Sequence, residues 1–234
     1  MIRYKKYLNE MGIVLNEKQQ EQFQMFYKML IEKNKVMNLT GITEYDEVVE
    51  KHFIDSLAIG SYEKIQGKVI DIGTGAGFPG IPLKIAYPDI KIVLLDSLNK
   101  RIKFLNEVIE ELGLENIETI HGRAEDISQK AEYREQFDFC VSRAVANLST
   151  LSEYCIPFLK NSGKFIPYKS EEINEEVEKS KKAISILGGE VEKIEKFELP
   201  NSTGGRSFVF IKKMKITSKK YPRKAGLPSK EPLC

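Results

Sequence analysis

Apolar and polar positions along this 234-residue chain follow two different periods. Up to about residue 63 the apolar positions recur at spacings of three and four. Phe23, Phe26, Tyr27, Leu30 and Ile31 then share one face of a helix. Asn16 is placed to cap that helix, which is expected to run from Glu17 to about Val36. Asn38-Leu39-Thr40 breaks it. Thr43 is placed to cap a further helical piece, where Val48, Val49, Phe53 and Leu57 form the next apolar stripe. His52 and Asp55 sit three apart on that piece and share a face; an ordinary surface pair is the plain reading. No alternation of period two occurs here. Residues 1–63 therefore read as a helical appendage laid over another unit.

From Gly67 on, short apolar runs alternate with helical periodicity. Strands are expected at Val69–Ile72, Ile90–Leu95, Asn116–His121, Phe137–Ser142 and Gly163–Tyr168. Helices are expected at Ile81–Ala86, at Leu98–Leu112 with Gly113 closing it, and at 171–187, the last charged and mostly exposed. Glu190–Leu199 and Ser207–Lys213 form an antiparallel hairpin around a loop holding Pro200, Gly204 and Gly205. Such alternation defines an α/β fold with a mainly parallel sheet. Ligands in such sheets bind outside the carboxyl ends of the strands. The expected organisation is a helical segment 1–63, an α/β domain 64–214 and a tail 215–234.

The stretch between the first strand and its helix carries the chemistry. Asp71-Ile72-Gly73-Thr74-Gly75-Ala76-Gly77-Phe78-Pro79-Gly80 places glycines at alternate positions, which lets the backbone turn sharply and approach a ligand. The following helix would aim its N-terminal N–H groups at that ligand. Pro82 suits its first turn. Gly75 to Gly80 matches the G-x-G-x-x-G dinucleotide fingerprint. The longer pattern from Asp71 resembles the first motif of class I S-adenosylmethionine methyltransferases. Asp71 favours the second reading, because a carboxylate beside a pyrophosphate is repelled, whereas one beside the ammonium of a methionine moiety is attracted. Pro79 also sits badly where a dinucleotide fold needs its helix already begun. A bare structural turn is the third reading.

Other candidates follow at successive strand ends. Asp96 lies 21 residues past Gly75, where an acid meets ribose hydroxyls; it can equally cap the next helix. Ribose is common to both ligands, so Asp96 does not choose between them. Gly122-Arg123-Ala124-Glu125-Asp126 follows the third strand, where methyltransferases hold the adenine amino group; a solvated loop is the alternative. Arg143 ends the fourth strand, which faces the reacting methyl in that fold. A salt bridge to Asp71 or Glu125 is its plainer role. Asp71, Asp96, Ala124-Glu125 and Arg143 thus all fall at carboxyl ends of strands.

Composition changes this picture in only a few places. Lysine and arginine number 36 against 34 acids, a net charge of +2, so no global field announces a partner. Cys140, Cys155 and Cys234 form no disulfide or metal pattern, which suits a reducing cytosol and a cytoplasmic protein without a bound metal. Met1 to Leu15 holds no apolar run long enough for a signal peptide, and no segment is long enough to span a membrane. The tail departs from the rest: Lys212, Lys213, Lys215, Lys219, Lys220, Arg223, Lys224 and Lys230 face the single acid Glu231. Pro222, Pro228, Pro232 and Gly226 argue against a regular element there. Such a tail attracts a phosphate backbone, with Lys219, Lys220, Arg223 and Lys224 as contacts and Tyr221 as a stacking surface. A disordered solubilising tail is the alternative. On either reading it is expected to be separable from donor binding.

Taken together, Asn38-Leu39-Thr40, His52-Phe53-Ile54-Asp55-Ser56-Leu57, the Asp71–Gly80 loop, Leu95-Asp96-Ser97, Lys100-Arg101, Gly122-Arg123-Ala124-Glu125, Ser142-Arg143-Ala144-Val145-Ala146 and Tyr221-Pro222-Arg223-Lys224 resemble the bacterial RsmG (GidB) family of small-subunit ribosomal RNA methyltransferases. The resemblance covers nearly the whole chain. Tyr168-Lys169-Ser170 departs from it, where the family usually has Lys-Gly. It implies a class I, Rossmann-like fold with a seven-stranded sheet. It implies methyl transfer from S-adenosylmethionine to N7 of a guanine in the 530 loop of 16S rRNA. It implies Gly73, Phe78, the Ala124-Glu125 pair and Arg143 as donor-holding residues; Asp71, Gly75, Gly77 and Asp96 come from the strand-end argument. The residue chemistry agrees. Methylation at pyrimidine C5 needs a cysteine nucleophile, and Cys140 lies inside a strand. The Asn/Asp-Pro-Pro-Tyr-like pattern of adenine-amine enzymes is missing. Guanine N7 already presents a lone pair, so positioning suffices, with Arg143 as the positioner. A small-molecule methyltransferase and an NAD-binding oxidoreductase remain the rival readings.

Overall fold

The computed structural model describes residues 1–143, 146–201 and 204–233. Ala144, Val145 and Cys234, named above, lie outside that set. The N-terminal segment holds α1 (Lys5–Glu10), α2 (Glu17–Met37) and α3 (Tyr45–Val48), which runs through a π-helical stretch, Val49–Ile54, into α4 (Asp55–Leu57). Asn16 caps α2 as expected: its side chain accepts from Gln19 N while the Gln19 side chain accepts from Asn16 N. Thr43 does not cap α3. Glu44 takes that position without a side-chain bond.

The remainder reads β1 (Lys68–Ile72), α5 (Gly80–Ala86), β2 (Lys91–Asp96), α6 (Asn99–Glu111), β3 (Ile117–His121), α7 (Ala124–Ile127), β4 (Phe137–Ser142), α8 (Leu148–Cys155), β5 (Leu159–Ser170), α9 (Asn174–Ile186), β6 (Gly189–Glu198), β7 (Gly205–Lys213) and α10 (Leu227–Lys230). The strands form one seven-stranded sheet in the order β3-β2-β1-β4-β5-β7-β6. Strands β1 to β5 pair parallel, and β7 runs antiparallel to both β5 and β6. Chain order reverses between β1 and β4, and that reversal is where open α/β sheets bind ligands.

Strand alternation sorts the core onto two faces. Val69, Ile92, Leu94, Phe139 and Val141 join one apolar cluster, which also takes Ile81 and Leu83 of α5, Phe104 and Leu105 of α6, and Phe23, Phe26 and Phe53 of the N-terminal segment. Ile70, Ile72, Val93, Leu95 and Cys140 face the other way, onto Leu148 and Leu151 of α8 and Val177 and Ile184 of α9. The appendage is therefore continuous with the core over one sheet face.

Two features depart from the sequence expectation. Helix α8 is not signalled by patterning, because Leu148, Ser149, Thr150, Leu151, Ser152, Glu153 and Cys155 are all buried and no polar stripe marks a solvent side. The tail is not irregular throughout. It packs against the α8 face, with Pro228 in the first turn of α10. Among the described residues no helix is long and apolar enough to cross a membrane.

Candidate functional site

The glycine loop is held by contacts within ten residues and by the end of β2. Gly73, Gly75 and Gly77 have φ of 71°, 63° and 98°, the left-handed region that a side chain strains. The Asp71 carboxylate lies beneath the loop. Its Oδ2 accepts from Thr74 Oγ1 at 2.7 Å and from Gly80 N at 2.9 Å, which ties the strand end to the helix start. A Cβ on Gly80 would come within 2.3 Å of Leu94 Cδ2 and 2.8 Å of Asp71 Oδ2. Burial pushes the Asp71 carboxyl up to about 7, against the pull of those two hydrogen bonds. Its Oδ1 is buried without a hydrogen-bond partner among the described residues. Gly73 is exposed at the top of the loop.

Asp96 closes the loop from β2. Its carboxylate accepts from Gly75 N (2.9 Å), Leu98 N (2.9 Å) and Arg101 Nη1 (3.2 Å). It thus joins loop to α6, although Leu98 holds the helix N-cap position. Ala124 and Glu125 are buried in α7 and do not form a solvated loop. Glu125 Oε1 accepts from Gly226 N in the tail at 2.9 Å.

Arg143 pairs with neither Asp71 nor Glu125. Its guanidinium reaches across to the appendage and donates to Lys51 O (3.2 Å), Asp55 Oδ2 (3.0 Å) and His52 Nδ1 (3.3 Å). It also lies 4.8 Å above the Phe78 ring, on which His52 stacks at 4.6 Å. The π-helical stretch explains part of this: its wide turn sends Asp55 N to Glu50 O, so Lys51 O is open to the arginine. His52 and Asp55 are accordingly not a surface pair; Asp55 is buried and also meets Arg206 Nε at 3.4 Å. Burial, with the Arg143 charge beside it, lowers His52 to about 4. Nε2 lies 2.8 Å from Thr40 Oγ1, while Nδ1 faces both the Arg143 guanidinium at 3.3 Å and Lys51 O at 3.1 Å.

Beside Asp55 and Arg143 opens a cavity of about 550 Å³ that Tyr168, Lys169, Phe197 and Arg206 also line. Sequence reasoning missed Phe197 and Arg206, which lie on β6 and β7 and reach the site only through sheet order. Lys169, in the stretch that departs from the family pattern, donates to Ala146 O and Glu176 Oε1. Cys140 is core, touching Cys155, and burial holds its thiol well above the ordinary range.

The tail residues divide. Lys219, Lys220 and Lys224 are exposed. Arg223 is bound to the fully buried Glu153, Nε to Oε1 at 2.9 Å and Nη2 to Oε2 at 2.7 Å, a bidentate pair.

A mainly parallel sheet with this order, a glycine loop after β1 and acids at successive strand ends define a class I S-adenosylmethionine-dependent methyltransferase fold. Solved structures show the same architecture. M. jannaschii TYW2 in complex with AdoMet superposes with a TM-score of 0.55 at 17% identity, over 74% of this chain and 77% of that one. A putative transferase from Pyrococcus horikoshii gives 0.56 at 15%, over 69% and 63%. The chain belongs to the GidB family, rRNA small subunit methyltransferase G, which matches residues 19–203. It is similar to the ribosomal RNA small subunit methyltransferase G of Lachnoclostridium phytofermentans, 54% identical over 228 residues that cover 97% of this chain and 94% of the relative. That of Brevibacillus brevis is 50% identical over 234 residues, 99% and 98% of the two chains.

Proposed function

We propose that this chain transfers a methyl group from S-adenosylmethionine to N7 of a guanine in the 530 loop of 16S rRNA. The observation that supports the reading is a glycine loop and strand-end acids at the β1/β4 reversal, with Arg143 over Phe78 joining the loop to a cationic, aromatic cavity. Family membership supports the ribosomal RNA substrate.

The residues fit the donor. The unpartnered Oδ1 of Asp71 suits a nearby ammonium, and a Cβ on Gly75 would find only Gly73 O, at 3.9 Å, so the loop is open for close approach. Gly73, Gly77 and Phe78 complete that loop, Asp96 stands at the ribose position and Ala124-Glu125 at the adenine edge. The donor supplies a sulfonium-activated methyl group. The chain's part is to hold the acceptor in line with it, which is the main source of rate for such a transfer.

Guanine N7 has a lone pair and no proton to lose, so the reaction needs no general base. The site agrees with that demand: the imidazole of His52 is neutral and engaged at both nitrogens, and Asp55 is bound to Arg143 and Arg206. Arg143 acts as a positioner. Bidentate donation to O6 and N7 would block N7, so the edge of its fork that lines the cavity meets O6 or a neighbouring phosphate. Lys219, Lys220 and Lys224 are exposed tail cations available to the RNA backbone; each phosphate contact adds roughly −0.9 or −0.7 to the slope of log affinity against log salt.

The test is to incubate the protein with labelled methyl donor and small subunits lacking the modification, then map the labelled nucleotide. Label at N7 of a single 530-loop guanine is expected. Label on another atom or another region overturns the assignment.

A further inference from the structure

We infer that the C-terminal segment from Tyr221 to Lys230 is a wall of the methyl-donor site. Its Gly226 N–H sets the Glu125 carboxylate, and the Arg223–Glu153 pair anchors the segment. The inference rests on the reading of Glu125 as the adenine-facing group and goes beyond it, because it makes donor binding and tail docking one equilibrium.

Anchoring contacts run the length of the segment. Arg134 donates to Thr217 O (2.8 Å) and Tyr221 O (3.0 Å), and Gln129 Nε2 to Pro222 O (3.1 Å). Arg223 then binds Glu153 through its backbone N–H as well as its side chain, at 2.7 Å. Glu153 is fully buried in α8, where a carboxylate without its arginine would be an uncompensated charge. Thr150 Oγ1, one helical turn earlier in α8, donates to Pro228 O at 3.0 Å. Tyr221 and Leu233 rest on the apolar cluster of that sheet face. A merely solvated basic tail would show none of this.

Gly226 is the point of contact with the site. Its φ of 83° turns the chain so that its N–H meets Glu125 Oε1 at 2.9 Å. Among the described residues that is the one hydrogen bond to the Glu125 carboxylate. One oxygen is thereby fixed and the other is left for the adenine amino group. A freely rotating glutamate would have to lose that freedom when the donor binds; this one has lost it already. Thermodynamic reciprocity follows. If docking favours the donor, the donor must favour docking by the same factor.

The experiment measures both directions on the full chain. Trypsin cuts at exposed Lys219, Lys220 and Lys224 report release of the tail, while cuts at exposed Lys179 on α9 report wider unfolding. S-adenosylhomocysteine is titrated into the digestion, and its binding is measured in parallel by calorimetry. Tail cleavage should slow about fivefold, the lower end of typical coupling, with half the effect at the calorimetric Kd and no change at Lys179. Arg223→Ala should speed tail cleavage and weaken S-adenosylhomocysteine about fivefold. Should that variant misfold, protection of the unaltered chain carries the test alone. Ligand that binds the unaltered chain without slowing tail cleavage overturns the inference and leaves the donor site standing. Absence of any binding overturns the donor-site reading, and the inference with it.

Discussion

The glycine loop and the docked tail are specified in opposite ways. The loop's side-chain bonds from Asp71 reach only to Thr74 and Gly80. The tail's reach from Arg223 to Glu153 and from Gly226 to Glu125, across 70 and 101 residues. The loop is written largely in its own residues, a run of left-handed glycines and a stapling acid, with Asp96 added from the next strand end. A long-range device is written in residues that look ordinary until the fold brings them together. Arg143 belongs to the second kind, because the appendage supplies all three acceptors named above.

The comparison can be broken by substitution. Gly80→Val should be the most damaging change, since any Cβ there enters the space of Leu94 and the Asp71 staple. Overpacking of this kind costs up to about 3 kcal/mol, readable in a urea melt. A variant as stable as the parent would show that the loop is not locally locked.

Arg143→Ala comes next. It should lower single-turnover methylation about 100-fold, the cost of small misplacements in a positioned reaction. Arg143→Lys should recover little of this. One point charge cannot serve Lys51 O, His52 and Asp55 together. Full recovery by lysine would make charge alone the requirement and remove the positioning role.

Asp71→Asn separates fold from function within the loop. An acid whose pKa is raised from 3.8 to about 7 by burial contributes stability below its ordinary value and loses it as pH rises through 7. The asparagine variant should therefore gain on the parent by about 1.4 kcal/mol per pH unit between about pH 4 and 7 and hold that gain above pH 7, while binding the donor less well. A pH-independent difference would place the carboxyl in a wetter setting than the structure shows.

His52 runs the other way. With its pKa lowered from 6.5 to about 4, it stabilises the fold fully above pH 6.5 and loses that contribution as pH falls through 4. With saturating donor, the single-turnover methylation rate should stay nearly flat from about pH 6 to 9, the smallest effect of the set. A bell-shaped profile that vanishes in His52→Ala would reinstate a catalytic base.

Much of the sheet was legible because its signals are local. The strand runs, Asn16 as a cap, Gly113 as a stop and the Asp71–Gly80 turn are each carried by neighbouring residues. Capping at Thr43 failed because serine and threonine signal a helix start only when the following turn presents its N–H groups to them, and here Glu44 stands in between. Helix α8 was silent because Ser149, Thr150, Ser152 and Glu153 are buried alongside its apolar residues, so residue type does not mark a solvent side.

By itself the sequence determined the order of the strands and the family, since both rest on short patterns of residue type. Only the tertiary structure decided who meets whom. It turned Arg143 toward Asp55, brought Phe197 and Arg206 to the cavity, and seated Arg223 on Glu153. The physical reason is burial. A charge taken out of water must find its opposite in the fold, and which opposite is nearest depends on sheet order and helix placement rather than on position in the chain.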